Sequence, residues 1–291
     1  MKWQGGRRSM NVQDRRGSGG MGRPMAFGGG ILGLIGLVLT LLMGGDPTGG
    51  GGGQEPAPRD DSGYGGAGPG ATASNPQQDE AKDFVSVILA DTEDTWPGLL
   101  KPLGVQYEAP QLVLFSDAVQ SACGFAQSAV GPFYCPGDQQ VYLDLTFFDE
   151  LGQRFGAEGD FAQAYVVAHE IGHHVQNLLG LSDKVRALQR RTDQAGANAL
   201  SVRLELQADC FAGVWAHHAN KQRQLLETGD VEEGLRAASA IGDDTLQKRA
   251  RGRVQPESFT HGSSAQRVRW FKQGLDTGDV KGCDTFNREA Q

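Results

Sequence analysis

The sequence predicts an α+β fold that is mainly helical, has a small sheet and is preceded by one transmembrane helix. Two strand-like segments, 111–115 and 139–145, come before a long stretch of helical periodicity that starts near Phe161. An apolar run without charged residues, 27–45, precedes both of them. We therefore divide the 291 residues into a basic cytoplasmic tail (1–26), a transmembrane helix (27–45), a flexible linker (46–79) and a folded domain (80–291).

The apolar segment 27–45 reads FGGGILGLIGLVLTLLMGG. As an α-helix it spans about 28 Å, close to the hydrocarbon thickness of a membrane. A cleaved signal peptide is the alternative, but the GGDPTGGGGG that follows Met43 is a poor cleavage site, so we favour a retained anchor. Residues 46–79 are rich in Gly, Pro, Asp and Ser, which predicts a flexible linker.

Charge is distributed unevenly along the chain. Residues 1–26 hold six lysines and arginines and one aspartate, whereas the rest of the chain carries 21 Lys and Arg against 34 Asp and Glu. Because basic segments stay in the cytoplasm, we expect a single-pass protein of the cell membrane with a cytoplasmic N-terminus. The folded domain is then extracytoplasmic, in the periplasm or on the outer face. Its acidity argues against nucleic acid as a partner.

Three segments near the start of the folded domain have clear patterns. EAKDFVSVILADTEDTW begins at Glu80 and has apolar residues at helical spacing, and we expect Pro97 to end this helix. QLVLF at 111–115 predicts a buried strand. QQVYLDL at 139–145 alternates between apolar and polar residues, as a strand with one exposed face does.

The segment 161–181, FAQAYVVAHEIGHHVQNLLGL, combines a helical apolar stripe with a metal-binding pattern. His169 and His173 lie on one face of a helix, one turn apart, so their imidazoles can occupy two corners of a tetrahedral zinc site. Glu170 is rotated by about 100° from His169 and can take a proton from a zinc-bound water without being a ligand. The HExxH pattern within an amphipathic helix therefore predicts one Zn²⁺ ion and a hydrolytic reaction.

Such a site needs a third protein ligand. The HExxHxxGxxH pattern would supply it locally, but Gln176 and Leu179 occupy the required positions. SVRLELQADCFAGVWAHH, 201–218, is a second helical segment with two carboxylates one turn apart. Glu205 would complete a His₂Glu site, and Asp209 would accept the free N–H of a ligand histidine. Sequence alone lets either carboxylate bind zinc, and two histidines on the same segment are further alternatives: His217 and His218.

Two residues near the C-terminus are weaker candidates. His261 lies in FTHGSSAQR, a loop before a helix that Ser263 or Ser264 would cap. Its functional interpretation is catalytic, as a hydrogen-bond donor to the oxyanion of the transition state, and the alternative is loop packing. Arg267 is a candidate partner for Asp209 or for another buried carboxylate.

Four stretches carry a family resemblance: CGFAQSAVGPFYCPGDQQVYLDLTFF, VVAHEIGHHVQ, LELQADCFAGVWAHH and FTHGSSAQRVRWF. They resemble the bacterial neutral zinc metallopeptidase family, whose members have a single membrane anchor and a gluzincin-type site. The resemblance covers most of 80–291 and implies a zincin-like metallopeptidase domain. It also implies that His169 and His173 bind zinc, that Glu170 is catalytic and that Glu205, by similarity to the ExxxD motif, is the third ligand.

These observations predict a zinc-dependent peptidase, an endopeptidase that acts on a peptide or protein substrate. The strand at 139–145 is a candidate sheet edge along which a substrate peptide adds as another strand. The alternative function is a membrane-anchored binding or chaperone-like protein with a largely structural zinc site. An intact Glu170 argues against this alternative, because such a protein has no need of the base.

The four cysteines form no CxxC pair, which argues against a zinc ribbon or a thioredoxin-like site. In an exported domain, an even number of scattered cysteines indicates two disulfides. Three connectivities are possible. We favour Cys123–Cys135, which closes a short loop, and Cys210–Cys283, which joins the C-terminus to the helix that carries Glu205.

Overall fold

A computed structural model of the chain describes residues 1–17 and 76–287. Within these ranges the fold is α+β and mainly helical. The helices are α1 Pro76–Leu100, α2 Thr146–Gln153, α3 Asp160–Leu178, α4 Leu181–Gln189, α5 Gln194–Arg223, α6 Asp230–Ala240, α7 Asp243–Arg251 and α8 Ser264–Thr277. The strands are β1 Val12–Asp14, β2 Gln111–Phe115, β3 Ala118–Ser121, β4 Gly124–Gln127, β5 Phe133–Cys135 and β6 Gln140–Asp144.

Four of these strands form one sheet in the order β1-β2-β6-β5, and β3 and β4 form a separate hairpin. β1, β2 and β6 are parallel, whereas β5 runs antiparallel to β6. The strand predicted at 139–145 is therefore an interior strand rather than an edge, since β6 lies between β2 and β5. The edge on this side of the sheet is β5, a strand that the sequence did not reveal.

Both faces of β6 are buried, although its alternating sequence predicted one exposed face. Val141 and Leu143 face the main core between the sheet and the helices. Tyr142, on the other face, packs with Val113 and with Val119 of the hairpin. Its ring stacks on the ring of Phe133, with the ring centroids 4.8 Å apart. The β3–β4 hairpin thus covers the face that the pattern assigned to solvent.

The helix α1 is longer than its sequence pattern predicted. It begins at Pro76, four residues before Glu80, so the last four residues of the predicted linker are helical. It also continues through Pro97 to Leu100. Proline removes one backbone hydrogen bond from a helix. Trp96 and Leu100 on either side are fully buried in the core, and this packing holds the last turn in place.

The helices α3 and α5 cross so closely that a side chain at one position would separate them. A Cβ atom at Gly172 of α3 would lie 2.9 Å from the carbonyl oxygen and 3.0 Å from the Cα atom of Ala208 in α5. The crossing of α5 and α8 is closer still, since a Cβ atom at Gly274 would lie 1.9 Å from the carbonyl oxygen of Cys210. These contacts bring the polar side chains of α3, α5 and α8 together.

Residues 1–17 pack against the rest of the fold as an integral part of it. Val12 of β1 pairs with Leu112 of β2 in a parallel ladder. The indole of Trp3 contacts the ring of Phe84 edge-on, with the ring centroids 5.3 Å apart. The backbone N–H of Lys2 donates to the carbonyl oxygen of Leu225 at 2.8 Å.

The predicted location, a single-pass membrane protein with a cytoplasmic N-terminus and an extracytoplasmic domain, is wrong. β1 and β2 belong to one sheet, so residues 12–14 and the body of the protein cannot lie on opposite sides of a membrane. Across the two described ranges, no helix is long and apolar enough to cross a membrane. The predicted transmembrane helix 27–45, like residues 46–75 of the predicted linker, lies outside the described residues.

Candidate metal centre

Two histidines of α3 and one glutamate of α5 converge in the interior of the fold. His169 Nε2 lies 3.2 Å from Glu205 Oε2, and His173 Nε2 lies 3.5 Å from Glu205 Oε1. The ligand atoms of the three side chains all lie within 4.8 Å of one another. His169 and Glu205 are buried, and His173 is half-buried. The structure therefore brings together the three residues that the sequence predicted as ligands.

Each histidine is held from behind through its other ring nitrogen. Nδ1 of His169 lies 2.9 Å from Asp209 Oδ1, and Nδ1 of His173 lies 2.9 Å from Gln176 Oε1. Both partners are acceptors, so both Nδ1 atoms donate. In the neutral rings the Nε2 atoms then carry lone pairs, and these face the lone pairs of the Glu205 carboxylate. A cation between the three groups, or a proton on an imidazole Nε2, relieves this repulsion.

The electrostatics of the site favour positive charge at this point. Burial lowers the pKa of His169, but its hydrogen bonds with Asp209 and Glu205 outweigh burial and raise it to about 9. For Glu205 the effect of burial has the opposite sign and raises the pKa. The neighbouring His173 and His169 outweigh burial and bring the pKa of Glu205 below its ordinary value. The carboxylates thus stabilise a positive charge beside the imidazoles.

The geometry of the three ligand atoms fits zinc. Zinc lies about 2.0–2.2 Å from histidine nitrogen and carboxylate oxygen, so neighbouring corners of its tetrahedron are about 3.4 Å apart. The separations of 3.2 and 3.5 Å, which join the two histidine nitrogens to different oxygens of Glu205, are near this length, and one ligand atom from each residue lies within 4.8 Å of the others. Two imidazoles and one carboxylate are also a ligand set that leaves a fourth position for water or substrate.

Asp209 is the centre of a buried hydrogen-bond network behind His169. Arg267 of α8 donates to it twice, from Nε to Oδ2 and from a terminal nitrogen to Oδ1, both at 2.9 Å. The hydroxyl of Tyr165 donates to Oδ1 at 2.5 Å. Burial raises the pKa of Asp209, but Arg267 and then His169 outweigh it and keep the carboxylate ionised. The pairing of Arg267 with Asp209 is one of the two options that the sequence left open.

Glu170 is buried beside the two histidines but does not belong to the group of three ligand atoms. Burial raises its pKa above the ordinary value, and His173 and His169 only partly oppose this shift. The backbone of Tyr134 lies close enough to the carboxylate to oppose this rise in its pKa as well. Because Tyr134 belongs to β5, the edge strand of the sheet lies directly against the predicted base.

His261 lies in the loop between α7 and α8 and is fixed by Asp243. Its Nδ1 lies 3.1 Å from Asp243 Oδ1. Asp243 Oδ2 accepts the backbone N–H groups of Thr260, His261 and Gly262. The buried Nε2 atom has no hydrogen-bond partner among the described residues. His261 is close enough to Glu205 to lower the pKa of that carboxylate.

The two remaining histidine alternatives lie elsewhere. His217 Nδ1 donates to the carbonyl oxygen of Leu275 at 2.8 Å, and His218 Nε2 donates to that of Gly278 at 2.9 Å. Both contacts join the end of α5 to the end of α8. Ser263, one of the two predicted caps, forms a capping box with Gln266 at the start of α8.

Several residues around the site were not predicted from the sequence. Tyr165 lies one turn before His169 in α3, and Gln176 lies one turn after His173, so helical spacing alone could have revealed both. Asp243 and Gln207 carried no such signal, because their contacts are made between elements that are distant in sequence. The disulfides are the pairs predicted from sequence, Cys123–Cys135 and Cys210–Cys283.

The fold and the site define an α+β protein with an HExxH helix and a glutamate from a second helix beside it, a combination that the zinc metallopeptidases also have. Residues 1–286 match the model of the family described as "Putative neutral zinc metallopeptidase", and the chain belongs to this family. The resemblance seen in the sequence is thereby confirmed.

The chain is similar to proteins of two bacterial genera. It is 51% identical over 303 residues to the uncharacterized protein YpfJ of Escherichia coli (strain K12), with 99% of each chain covered. It is 46% identical over 218 residues to the uncharacterized protein Rv2575 of Mycobacterium tuberculosis (strain ATCC 25618 / H37Rv), which covers 72% of this chain and 73% of the relative. No solved structure matches the chain.

Proposed function

We propose that the protein is a zinc-dependent endopeptidase that hydrolyses peptide bonds. His169, His173 and Glu205 would hold one zinc ion, and the proposal rests on their convergence beside a buried Glu170. Bound zinc would supply a Lewis acid that polarises the scissile carbonyl and lowers the pKa of water. The catalytic domain would be zincin-like in its arrangement of the two helices and the edge strand.

Glu170 acts as the general base and then as the general acid. It accepts a proton from the water whose oxygen forms a bond to the carbonyl carbon. It then gives that proton to the amide nitrogen as the carbon–nitrogen bond breaks. A pKa raised by burial suits both steps, because the carboxylate must take up the proton and release it near neutral pH.

His261 stabilises the oxyanion that forms on the carbonyl oxygen of the substrate. Its Nδ1 already donates to Asp243, so a second donation from Nε2 requires the imidazolium form. The Nε2 atom, buried and without a partner within the described ranges, is the atom that would make this bond. A donor that is fixed before the reaction stabilises developing charge without reorganisation.

The substrate binds as an extended peptide along β5. This strand is the edge of the sheet, and the backbone of Tyr134 within it lies near the carboxylate of Glu170. A peptide that pairs with an edge strand presents its backbone in a regular conformation, with the scissile bond next to the base. This placement favours a peptide or protein as the substrate.

Zinc content and hydrolysis of an unfolded protein such as casein test the proposal together. Wild type should bind one zinc ion and cleave casein. Glu170→Gln should keep the zinc and lose cleavage by several orders of magnitude, because the proton acceptor is removed. Glu232→Gln, at an exposed position of α6, is the matched control and should cleave like wild type. The proposal would be refuted if Glu170→Gln cleaved casein at the wild-type rate. It would also be refuted if the wild-type protein bound zinc but did not cleave casein.

A further inference from the structure

Two buried glutamines connect His173 to the C-terminal end of the fold. Gln176 Oε1 lies 2.9 Å from His173 Nδ1, and Gln176 Nε2 donates to Gln207 Oε1 at 3.1 Å. Gln207 Nε2 then donates to the carbonyl oxygen of Cys283 at 2.9 Å. Gln176 belongs to α3, Gln207 to α5 and Cys283 to the short turn Val280–Cys283 after α8. The contacts form one chain of hydrogen bonds, which we call the glutamine relay.

The direction of the relay is fixed by two backbone carbonyl groups. Gln176 Nε2 also donates to the carbonyl oxygen of Leu204 at 2.7 Å, and Gln207 Nε2 donates to that of Cys283. A carbonyl oxygen only accepts, so both amide nitrogens must face these groups. Gln176 Oε1 must then face His173. The relay therefore requires that His173 carries its proton on Nδ1, which leaves the lone pair of Nε2 for the metal.

The far end of the relay is anchored covalently. Cys283 is fully buried and forms a disulfide with Cys210 of α5, three residues after Gln207. Nearby, the hydroxyl of Thr285 donates to the carbonyl oxygen of Arg203 at 2.6 Å. Both contacts hold the C-terminal turn against α5, so the Cys283 carbonyl cannot move away from Gln207 without breaking a covalent or a buried contact.

We propose that Gln176 and Gln207 are positioning residues that hold His173 in its Nδ1–H tautomer, and that the Cys210–Cys283 disulfide anchors them. The two ligand histidines then have different supports. A carboxylate, Asp209, holds His169, whereas a neutral amide holds His173. The inference rests on the proposed function only in taking His173 as a zinc ligand.

Zinc affinity, measured by chelator competition, tests the relay without reference to catalysis. Gln176→Leu keeps the side-chain volume but removes the acceptor for His173, and we expect a loss of about 10–100-fold in affinity. Gln207→Leu keeps that acceptor and should cost less. Gln189→Leu is the matched control, because Gln189 also joins α5 to a neighbouring helix through Ser201 but lies outside the relay. It should bind zinc like wild type.

The tautomer of His173 provides a second readout that a purely structural role would not change. In metal-free wild type at mildly alkaline pH, ¹⁵N NMR of the imidazole should show the proton of His173 on Nδ1. In Gln176→Leu the ring should shift towards the Nε2–H form. The wild-type spectrum needs no variant, so it remains decisive if Gln176→Leu fails to fold.

A proton on Nε2 of His173 in wild type, or wild-type zinc affinity in Gln176→Leu, would overturn the relay. Neither result depends on peptide hydrolysis. A protein that binds zinc with the relay intact but cleaves no peptide would refute the proposed function alone.

Discussion

Glu205 and Asp209 lie one turn apart on α5 and face opposite nitrogens of one imidazole ring. Glu205 lies 3.2 Å from Nε2 of His169, and Asp209 lies 2.9 Å from Nδ1 of the same ring. The two carboxylates therefore have different tasks, although sequence alone made them interchangeable. The close crossing of α3 and α5 at Gly172 makes this arrangement possible, because it lets both side chains reach the ring.

Zinc affinity should separate the two carboxylates. Glu205→Ala removes the proposed third ligand, and we expect it to bind zinc very weakly. Asp209→Asn still accepts a hydrogen bond but loses the charge that orients His169, and should lose about 10–100-fold in affinity. Chelator competition on both variants measures the difference. If Asp209→Asn empties the site while Glu205→Ala retains zinc, the two assignments are reversed.

His261 and Asp243 should affect the rate of hydrolysis but not the metal. His261→Ala should lower kcat by about 10²–10³-fold, the usual effect of removing one donor to an oxyanion, and should keep zinc. Asp243→Asn should also lower kcat, because Nδ1 of His261 loses its carboxylate partner. Steady-state kinetics with a peptide substrate give kcat and KM separately. An unchanged kcat in His261→Ala would mean that the histidine only packs the loop.

Gly172→Ala should weaken both the fold and the metal site. The added methyl would lie against the backbone of Ala208, and overpacking of this kind costs about 1–3 kcal/mol. Gly98→Ala is the matched control, because a Cβ atom there meets nothing within 4 Å, and it should stabilise α1 by up to about 1 kcal/mol. Urea unfolding and zinc affinity are the measurements. Equal behaviour of the two variants would show that the helices adjust freely.

The two disulfides should differ in their effects. Cys123–Cys135 closes a sequence separation of 12 residues and Cys210–Cys283 one of 73, so their loss should cost about 3 and about 4 kcal/mol of stability. Only the pair Cys210→Ala with Cys283→Ala should also lower zinc affinity, because it frees the end of the glutamine relay. Thermal unfolding and chelator competition on both double variants check this. A fall in zinc affinity on loss of Cys123–Cys135 alone would contradict it.

Trp3→Ala should destabilise the whole fold, because residues 1–17 are part of its core. Loss of the half-buried indole against Phe84 should cost about 2 kcal/mol in the free energy of unfolding. Met10→Ala, at a position that is 96% exposed, is the control and should change stability by less than about 0.5 kcal/mol. Denaturant unfolding of the full-length protein measures both. Indistinguishable variants would show that the N-terminal segment does not contribute to stability.

The convergence of His169, His173 and Glu205 was predictable because its signals are local. His169, Glu170 and His173 share one helical turn, and Glu205 lies on the next helix with a carboxylate one turn away. Asp243 was not predictable, since its contact with His261 depends on how the α7–α8 loop folds. The role of Gln207 was not predictable either, because its partners come from α3 and from the C-terminal turn.

The N-terminal arginines show why the location was predicted wrongly. Their excess over acidic residues has the pattern of a cytoplasmic flank, but in the fold they pair with acidic side chains of α1. Arg7 contacts Glu93 and Asp94, and Arg8 contacts Asp83. A count of charges cannot distinguish these ion pairs from a topology signal. The strands β3, β4 and β5 were missed for another reason, since segments of three or four residues are too short for a reliable periodicity.

The position of β1 also sets the timing of folding during synthesis. Val12 pairs with Leu112, and Lys2 bonds to Leu225, a residue that the ribosome adds far later. At typical rates of translation the first residues wait roughly 10–45 s for Leu225 to be added. Without β1, this edge of β2 would be an unpaired template for other strands. The first three residues can therefore dock only after most of the chain has been made, whereas β1 can pair with β2 much earlier.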